Sequence, residues 1–420
     1  MQHPETPKIA DGNEFTAAQL NSPEVIANPY PYYHLLRSKP PQFGLLDYPP
    51  GTVPGKDEPR PAWAFLKYED VAFIARKHEL FSSRDEMQEQ SSAPTLMLVN
   101  DDRPRHKFLR GIAQQAFSPK LIDQDVGPWA ERTVADMIKR IGAGEQDIMK
   151  TYAVELPARF MTRLLGTPES DWPRLRDWGN AFMVTADFTA EERQQSNANL
   201  AQYYVDAVGE RIADIQKGRS VSDDLMTAFI SSEFEGQRLT PEEVIRFCIT
   251  LVVAGAETTV YFLGNLVSTL VECPQYFAAL KEDRSLIRYF LDESLRRDGP
   301  PQRLFRVATE DCDVNGTKVC AGDWVALFFA AANRDPEVFE NPDEFQLPRK
   351  NVSRHMTFGH GIHTCMGFRV AKLEGEKLLQ GLLDNFSGVR KSVKPARRQS
   401  GGLLNYGFET LPLILDKSAV

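Results

Sequence analysis

The chain has 420 residues, 42% of them hydrophobic, enough for a large buried core in one big domain or two smaller ones. A formal net charge of -9 and the lack of a long basic run argue against nucleic acid as a partner. Five widely spaced cysteines, Cys248, Cys273, Cys312, Cys320 and Cys365, form no CxxC pair. That spacing argues against a disulfide framework or a structural zinc site and suits a reducing cytoplasm.

Met1 to Glu24 is polar and lacks the charged-then-apolar layout of a signal peptide. A helix is expected to open at Ser22-Pro23-Glu24 and to continue through Tyr30, Tyr32, Leu35 and Leu36. Pro40 to Pro61 is rich in proline and reads as strand fragments joined by loops. Trp63 to Leu66 then looks like a strand and Tyr68 to Arg76 like a helix. From Pro104 to Cys273 the apolar spacing is mostly helical, as at Val126 to Ile141, Val154 to Leu165 and Leu200 to Ile215.

Thr240-Pro241-Glu242-Glu243 is a strong helix start, with Thr as cap, Pro at the first position and Glu243 completing a capping box. Apolar residues run on to Val271, and Pro274 ends a helix of roughly 33 residues, or roughly 50 Å. Glu257 interrupts it, so no uncharged apolar stretch of about 18 residues points to a membrane span. Strand signals return at Arg303 to Val307, Thr317 to Val319 and Trp324 to Phe328. A last helix is expected from Met366 to Asp384, with short strands between Leu403 and Ile414. The fold class is therefore mainly α with a small β region. No composition break divides the chain, so residues 1–420 read as one domain, with β-rich parts near 40–75, 303–330 and 400–415 and helical parts near 76–300 and 366–385.

Phe358-Gly359-His360-Gly361-Ile362-His363-Thr364-Cys365-Met366-Gly367 carries the most information. Gly359, Gly361 and Gly367 allow tight turns and close approach to a flat ligand. A cysteine at the N-terminus of a helix is favoured as thiolate, and a thiolate facing a glycine-lined loop suits a proximal ligand to haem iron. A lone cysteine can also be a small buried hydrophobe. The spacing H-x-x-H-x-C has no partner pair for a Cys/His metal site.

Within the long helix, Ala254-Gly255-Ala256-Glu257-Thr258-Thr259 is a weak spot. Gly255 costs about 1 kcal/mol relative to Ala, and the threonines can bond back to carbonyls one turn earlier. Such a spot is either a packing notch for a neighbouring helix or a groove holding dioxygen beside a carboxylate and a hydroxyl.

The cysteine segment matches F-x-x-G-x-H-x-C-x-G at every fixed position, and in this it resembles the cytochrome P450 family. The helix segment is similar to that family's [AG]-G-x-[DE]-T-[TS]. The resemblance extends from Asn28-Pro29-Tyr30-Pro31-Tyr32 to the C-terminal strands. It implies the triangular haem-thiolate fold, with haem b as cofactor and Cys365 as axial iron ligand, seated by Phe358, Gly359, Gly367 and Gly255. By the same resemblance Thr258 and Glu257 are catalytic and deliver protons to dioxygen. Relatives often carry Asp where Glu257 stands, and the Pro49 to Pro61 stretch is longer than in many of them.

His106, Arg110, Arg306 and His363 match the family's contacts to the haem propionates. Glu293-Ser294-Leu295-Arg296, with Asn341-Pro342-Asp343-Glu344-Phe345 and Arg349, matches a structural triad of Glu293, Arg296 and Arg349. Candidate pocket residues lie at Thr95 to Val99 (Leu96 and Met97 among them), Phe182 to Val184, Val253, Ala254, Leu304, Phe305, Leu403 and Leu404. Most are apolar, which favours a small to medium hydrophobic substrate.

Arg103, Arg105, Lys107, Arg110, Arg369 and Lys372 would border the thiolate side and form either a docking patch for an acidic ferredoxin or a solvated face. The expected protein is thus a cytoplasmic, monomeric monooxygenase fed from NAD(P)H through a ferredoxin reductase and ferredoxin. It hydroxylates or oxidatively demethylates its substrate. A haem-thiolate peroxygenase, a non-oxygenase relative and a haem gas sensor are the alternatives.

Overall fold

The computed structural model describes residues 15–46, 60–84, 96–118, 120–182 and 188–417. Its first helices are α1 (Pro23–Ala27), α2 (Tyr30–Arg37), α3 (Tyr68–Arg76), α4 (Arg105–Ala116), α5 (Gly127–Ile141) and α6 (Glu155–Leu165). Then come α7 (Trp172–Ala181), α8 (Ala190–Gln216), α9 (Leu225–Ser231) and α10 (Pro241–Glu272). The last are α11 (Gln275–Glu282), α12 (Ile287–Asp298), α13 (Phe329–Ala332) and α14 (Phe368–Asn385).

Local chemistry sets the limits of α10. Thr240 Oγ1 accepts from the Glu243 N–H at 3.3 Å while the Glu243 carboxylate accepts from the Thr240 N–H at 2.8 Å, as the capping box requires. The helix is long and apolar enough to cross a membrane by length and composition, yet 65% of its most apolar window is buried inside the protein. It is the axis of the main core. Leu109 and Ile112 of α4, Val134 and Met137 of α5, Phe160 of α6, Phe247 and Leu263 of α10, and Leu378 and Leu382 of α14 meet there.

Beside the helices lies a five-stranded sheet of β1 (Gln42–Leu46), β2 (Pro61–Phe65), β8 (Trp324–Leu327), β5 (Leu304–Ala308) and β3 (Phe81–Ser82), in that order. The β2–β8 pair is parallel and the others antiparallel. Ala64 and Trp324 face a core built with α1 and α2, whereas Phe65 and Val325 face a core built with α3. Burial on both faces explains why β8 is an unbroken apolar run rather than an alternating one. A second sheet joins β4 (Gly144–Asp147), β12 (Pro412–Lys417) and β9 (Phe386–Lys391).

Four expectations change. The first helix is two, because Pro29 pushes Asn28 into the extended region and splits α1 from α2. The helix expected at Leu200 to Ile215 starts ten residues earlier, where Ala190 to Asn199 offers no apolar period but Thr189 supplies a capping box with Glu192. The last helix starts at Phe368, since Gly367 is its cap. Strand β4, of sequence GEQD, has no alternation to read and is set by pairing with β12. Residues 47–59, which hold most of the Pro49 to Pro61 stretch, lie outside the described residues.

Candidate active site around Cys365

The loop 358–367 is folded on itself. The Cys365 N–H donates to the Phe358 carbonyl at 2.8 Å and the Gly359 N–H to the Met356 carbonyl at 2.8 Å. Gly359 has φ of +75° and Gly361 of +74°, the left-handed region where glycine carries no steric penalty. Gly361 also seats the loop on α3, for a Cβ there would stand 2.5 Å from the Ala75 carbonyl oxygen. Gly367 differs: its φ is an ordinary -82°. A Cβ at Gly367 would meet Cys365 Sγ at 3.9 Å, so cap geometry rather than a tight turn describes that position.

Cys365 is solvent-accessible although protein surrounds it. Burial pushes its thiol above the ordinary range, while the N–H groups of Gly367 and Phe368 and the Arg110 guanidinium pull it down. The helix-end effect expected from the sequence is present, but in the protein alone burial outweighs it.

One turn apart on α4, His106 and Arg110 face this loop. The His106 and His363 rings lie 4.3 Å apart, and Arg110 Nη1 donates to the Thr364 carbonyl at 2.6 Å. Arg306 reaches in from β5. Burial lowers His106 to about 4, with Arg110 and Arg103 adding to the shift. It lowers His363 to about 2, with Arg306, His106 and Arg110 adding. Arg306 falls to about 10 through burial, opposed by Asp102. These four side chains thus share one field, and none is ion-paired among the described residues. His106 Nε2 is buried without a hydrogen-bond partner. His363 Nε2, by contrast, pairs with Ser83 Oγ at 2.9 Å. Sequence reasoning missed Ser83, which no motif marks.

The expected triad forms. Glu293 has no exposure and accepts from Arg296 Nε and Nη2 at 2.8 Å each, and from Arg349 Nε at 2.9 and 3.0 Å. Both arginines spend their remaining donors on carbonyls of Asn333, Glu340, Asn341, Pro342 and Glu344. From there Asn333 leads to the cysteine loop. Its Nδ2 donates to Thr357 Oγ1 at 2.9 Å, its Oδ1 accepts from the Met356 N–H at 2.6 Å, and Thr357 Oγ1 donates to the Leu295 carbonyl at 2.6 Å.

In the middle of α10, Ala254 is exposed and Thr258 half-buried, an opening in an otherwise packed helix. Thr258 Oγ1 donates to the Ala254 carbonyl at 2.9 Å. Glu257 is buried; Asn405 Nδ2 donates to its Oε2 at 2.7 Å and the Tyr261 hydroxyl to its Oε1 at 3.3 Å. Gly255 has Met161 of α6 against it, with Sδ 2.7 Å from where a Cβ would be. That contact fits the packing-notch reading of the position.

The sequence model described as cytochrome P450 matches residues 145–406. The biotin biosynthesis cytochrome P450 of Bacillus subtilis (strain 168) is 32% identical over 376 residues, covering 89% of this chain and 93% of its own. The chain belongs to the cytochrome P450 family.

Solved P450 structures agree with this. CYP109E1 from Bacillus megaterium in complex with corticosterone superposes with a TM-score of 0.80 at 27% identity, covering 93% of this chain and 99% of its own. P450BioI in complex with hexadec-9Z-enoic acid ligated acyl carrier protein gives 0.81 at 27% identity, covering 94% and 100%. This P450 therefore has the family's fold, mainly helical with small sheets, and is a haem-dependent monooxygenase. The donor set fits that cofactor: a solvent-accessible thiol for iron, with buried cationic and imidazole groups beside it that have no ion-paired anion among the described residues, for carboxylate substituents.

The remaining expected residues fall in two groups. Met97, Val253 and Leu403 are 3%, 2% and 1% exposed and pack with the core clusters. Leu96, Phe182, Phe305 and Leu404 are half-buried, and Ala254 and Leu304 exposed. Thr95, Met183 and Val184 lie outside the described residues. The docking cations already carry partners: Lys107 pairs with Glu235 at 2.5 Å, Arg105 with Glu243, Arg369 with Asp123 at 3.1 Å and Lys372 with Asp292 at 2.5 Å. Arg110 is turned inward. Arg103 is exposed and has no ion pair among the described residues.

Proposed function

We propose that this P450 binds haem b through Cys365 and hydroxylates or oxidatively demethylates a small to medium hydrophobic molecule in the cytoplasm, with electrons from NAD(P)H through a ferredoxin. The observation that carries the proposal is the convergence of His106, Arg110, His363 and Arg306 in the field beside the solvent-accessible Cys365. Bound haem would supply dioxygen activation and transfer of one oxygen atom to carbon.

The rest falls to the protein. Cys365 would ligate iron, and Arg110, Arg306 and His106 Nε2 would take the propionates, with His363 steadied by Ser83. The triad and Asn333 hold the loop and are structural, not catalytic. Thr258 Oγ1 already lies against the opening. To give its proton to substrate-side oxygen it would leave the Ala254 carbonyl, a weak bond of the kind threonines make within helices. Glu257, one residue before it, would resupply that proton. Leu96, Phe182, Ala254, Leu304 and Leu404 would shape the apolar side on which a substrate lies.

The docking cations are engaged with surface carboxylates, and exposed pairs of this kind are worth about 0–1 kcal/mol. An acidic ferredoxin could therefore exchange for Glu235 or Asp123 at little cost. The acyl and steroid ligands of the related structures suggest the first probes, hexadec-9Z-enoic acid and corticosterone. Product formed from NADPH, a ferredoxin and its reductase would support the monooxygenase. Product formed only from added hydrogen peroxide would favour the peroxygenase.

A further inference from the structure

Among the partners described for Glu257 are two neutral donors from different parts of the chain. Asn405 is 4% exposed and presents its amide to Oε2 at 2.7 Å; only the NH2 end of the amide can face a carboxylate. The Tyr261 hydroxyl, one turn along α10, donates to Oε1 at 3.3 Å. Tyr261 fits because residue 407 is glycine: a Cβ there would stand 2.2 Å from its ring.

The segment carrying Asn405 is rigid. Gln399 Nε2 donates to the Gly402 and Asn405 carbonyls at 2.7 Å each, and Asn265 Nδ2 to the Tyr406 carbonyl at 2.9 Å. It is also bonded to the segment leading into β5. The Gln302 N–H donates to the Leu404 carbonyl at 2.9 Å, the Tyr406 N–H to the Pro300 carbonyl at 2.7 Å, and Pro301 bridges Asn405. Two stretches that carry proposed pocket residues, Leu304 and Leu404, are thereby fastened to the residue that fastens Glu257.

We infer that Asn405 is a positioning residue for the Glu257 carboxylate and links its placement to the segments around Leu304 and Leu404. An amide suits that task chemically. It donates at every working pH and takes no proton, so it fixes the carboxylate without competing for what the carboxylate carries. The inference rests on the proposed relay role of Glu257.

The test uses the haem-loaded protein. Asn405→Leu keeps the shape and removes the donor. NADPH-driven dioxygen consumption with a ferredoxin and its reductase, without organic substrate, should slow about fivefold, as for coupling between contacting residues. Its solvent deuterium isotope effect should rise. In the Glu257→Gln background, Asn405→Leu should slow consumption no further and should lower the melting temperature less than it does beside the carboxylate. Tyr261→Phe should act in the same direction, more weakly.

Wild-type rate and isotope effect in Asn405→Leu, with Glu257→Gln slow, would overturn the inference and leave the relay reading intact. Equal slowing by Asn405→Leu in both backgrounds, or equal loss of melting temperature in both, would make Asn405 merely structural. An unaffected Glu257→Gln would sink the relay reading itself, and the inference with it.

Discussion

Two buried polar constellations flank the cysteine loop and are built on opposite principles. In the triad, one carboxylate meets two guanidiniums, and the described donors of Arg296 and Arg349 end on Glu293 or on a carbonyl. In the other group, two guanidiniums and two imidazoles lie within one another's field with no ion-paired anion among the described residues. A buried charge with no partner is costly, so two guanidiniums kept together without an ion pair among the described residues suit a bound anion, such as the propionates proposed above. The contrast separates what holds the loop from what is proposed to hold the cofactor.

The largest effect belongs to the residue between them. Cys365→His should abolish the red-shifted Soret band of the reduced carbon monoxide adduct along with oxygenase activity; an unshifted band in the unaltered protein would refute a thiolate ligand. Next is Glu293→Gln, which leaves two buried guanidiniums short of a counter-charge. It should cost about 3–5 kcal/mol in denaturant unfolding, with or without haem. Arg306→Leu should do the reverse, leaving the haem-free protein as stable or more so and weakening haem retention about tenfold in a transfer assay. If it destabilised the haem-free protein as Glu293→Gln does, the two constellations would be alike after all.

Acid should also tell them apart. His106, held down to about 4 by burial, must gain its proton mainly on unfolding, where an ordinary value near 6.5 applies. Below about pH 6.5 the unfolded chain therefore binds the additional proton, and stability falls with falling pH towards about 4. The melting temperature of the haem-free protein should drop across that interval, and by less in His106→Gln. The smallest effect is expected at the surface. Lys107→Gln should change stability by less than about 1 kcal/mol, and should raise the ferredoxin concentration at half-maximal rate if that face docks the donor.

Legibility in the sequence followed the same division. Tyr68–Arg76 and the ends of α10 were readable because caps and apolar periods act over a few residues. Cys365, His106, Arg110 and the triad were readable through motifs whose members sit at fixed offsets. Ser83 and Asn405 were not, since their partners His363 and Glu257 are 280 and 148 positions away and neither is a residue type that announces chemistry. The burial of Met97, Val253 and Leu403 was not readable either, because an apolar side chain looks the same in sequence whether it lines a cavity or fills a core. The surface partners of the docking cations were not readable, because those carboxylates come from other segments, such as Glu235 for Lys107 and Asp123 for Arg369.

Gly361, seated against the Ala75 carbonyl, has a consequence for how the chain reaches this state. The two residues are far apart in sequence, so the ligand loop closes against α3 only after most of the intervening polypeptide has been gathered. Contacts of such long separation carry a loop-closure cost and slow assembly. Even a methyl group at position 361 would have to push the ligand loop off that carbonyl, so the backbone of α3 limits which residues the loop can carry.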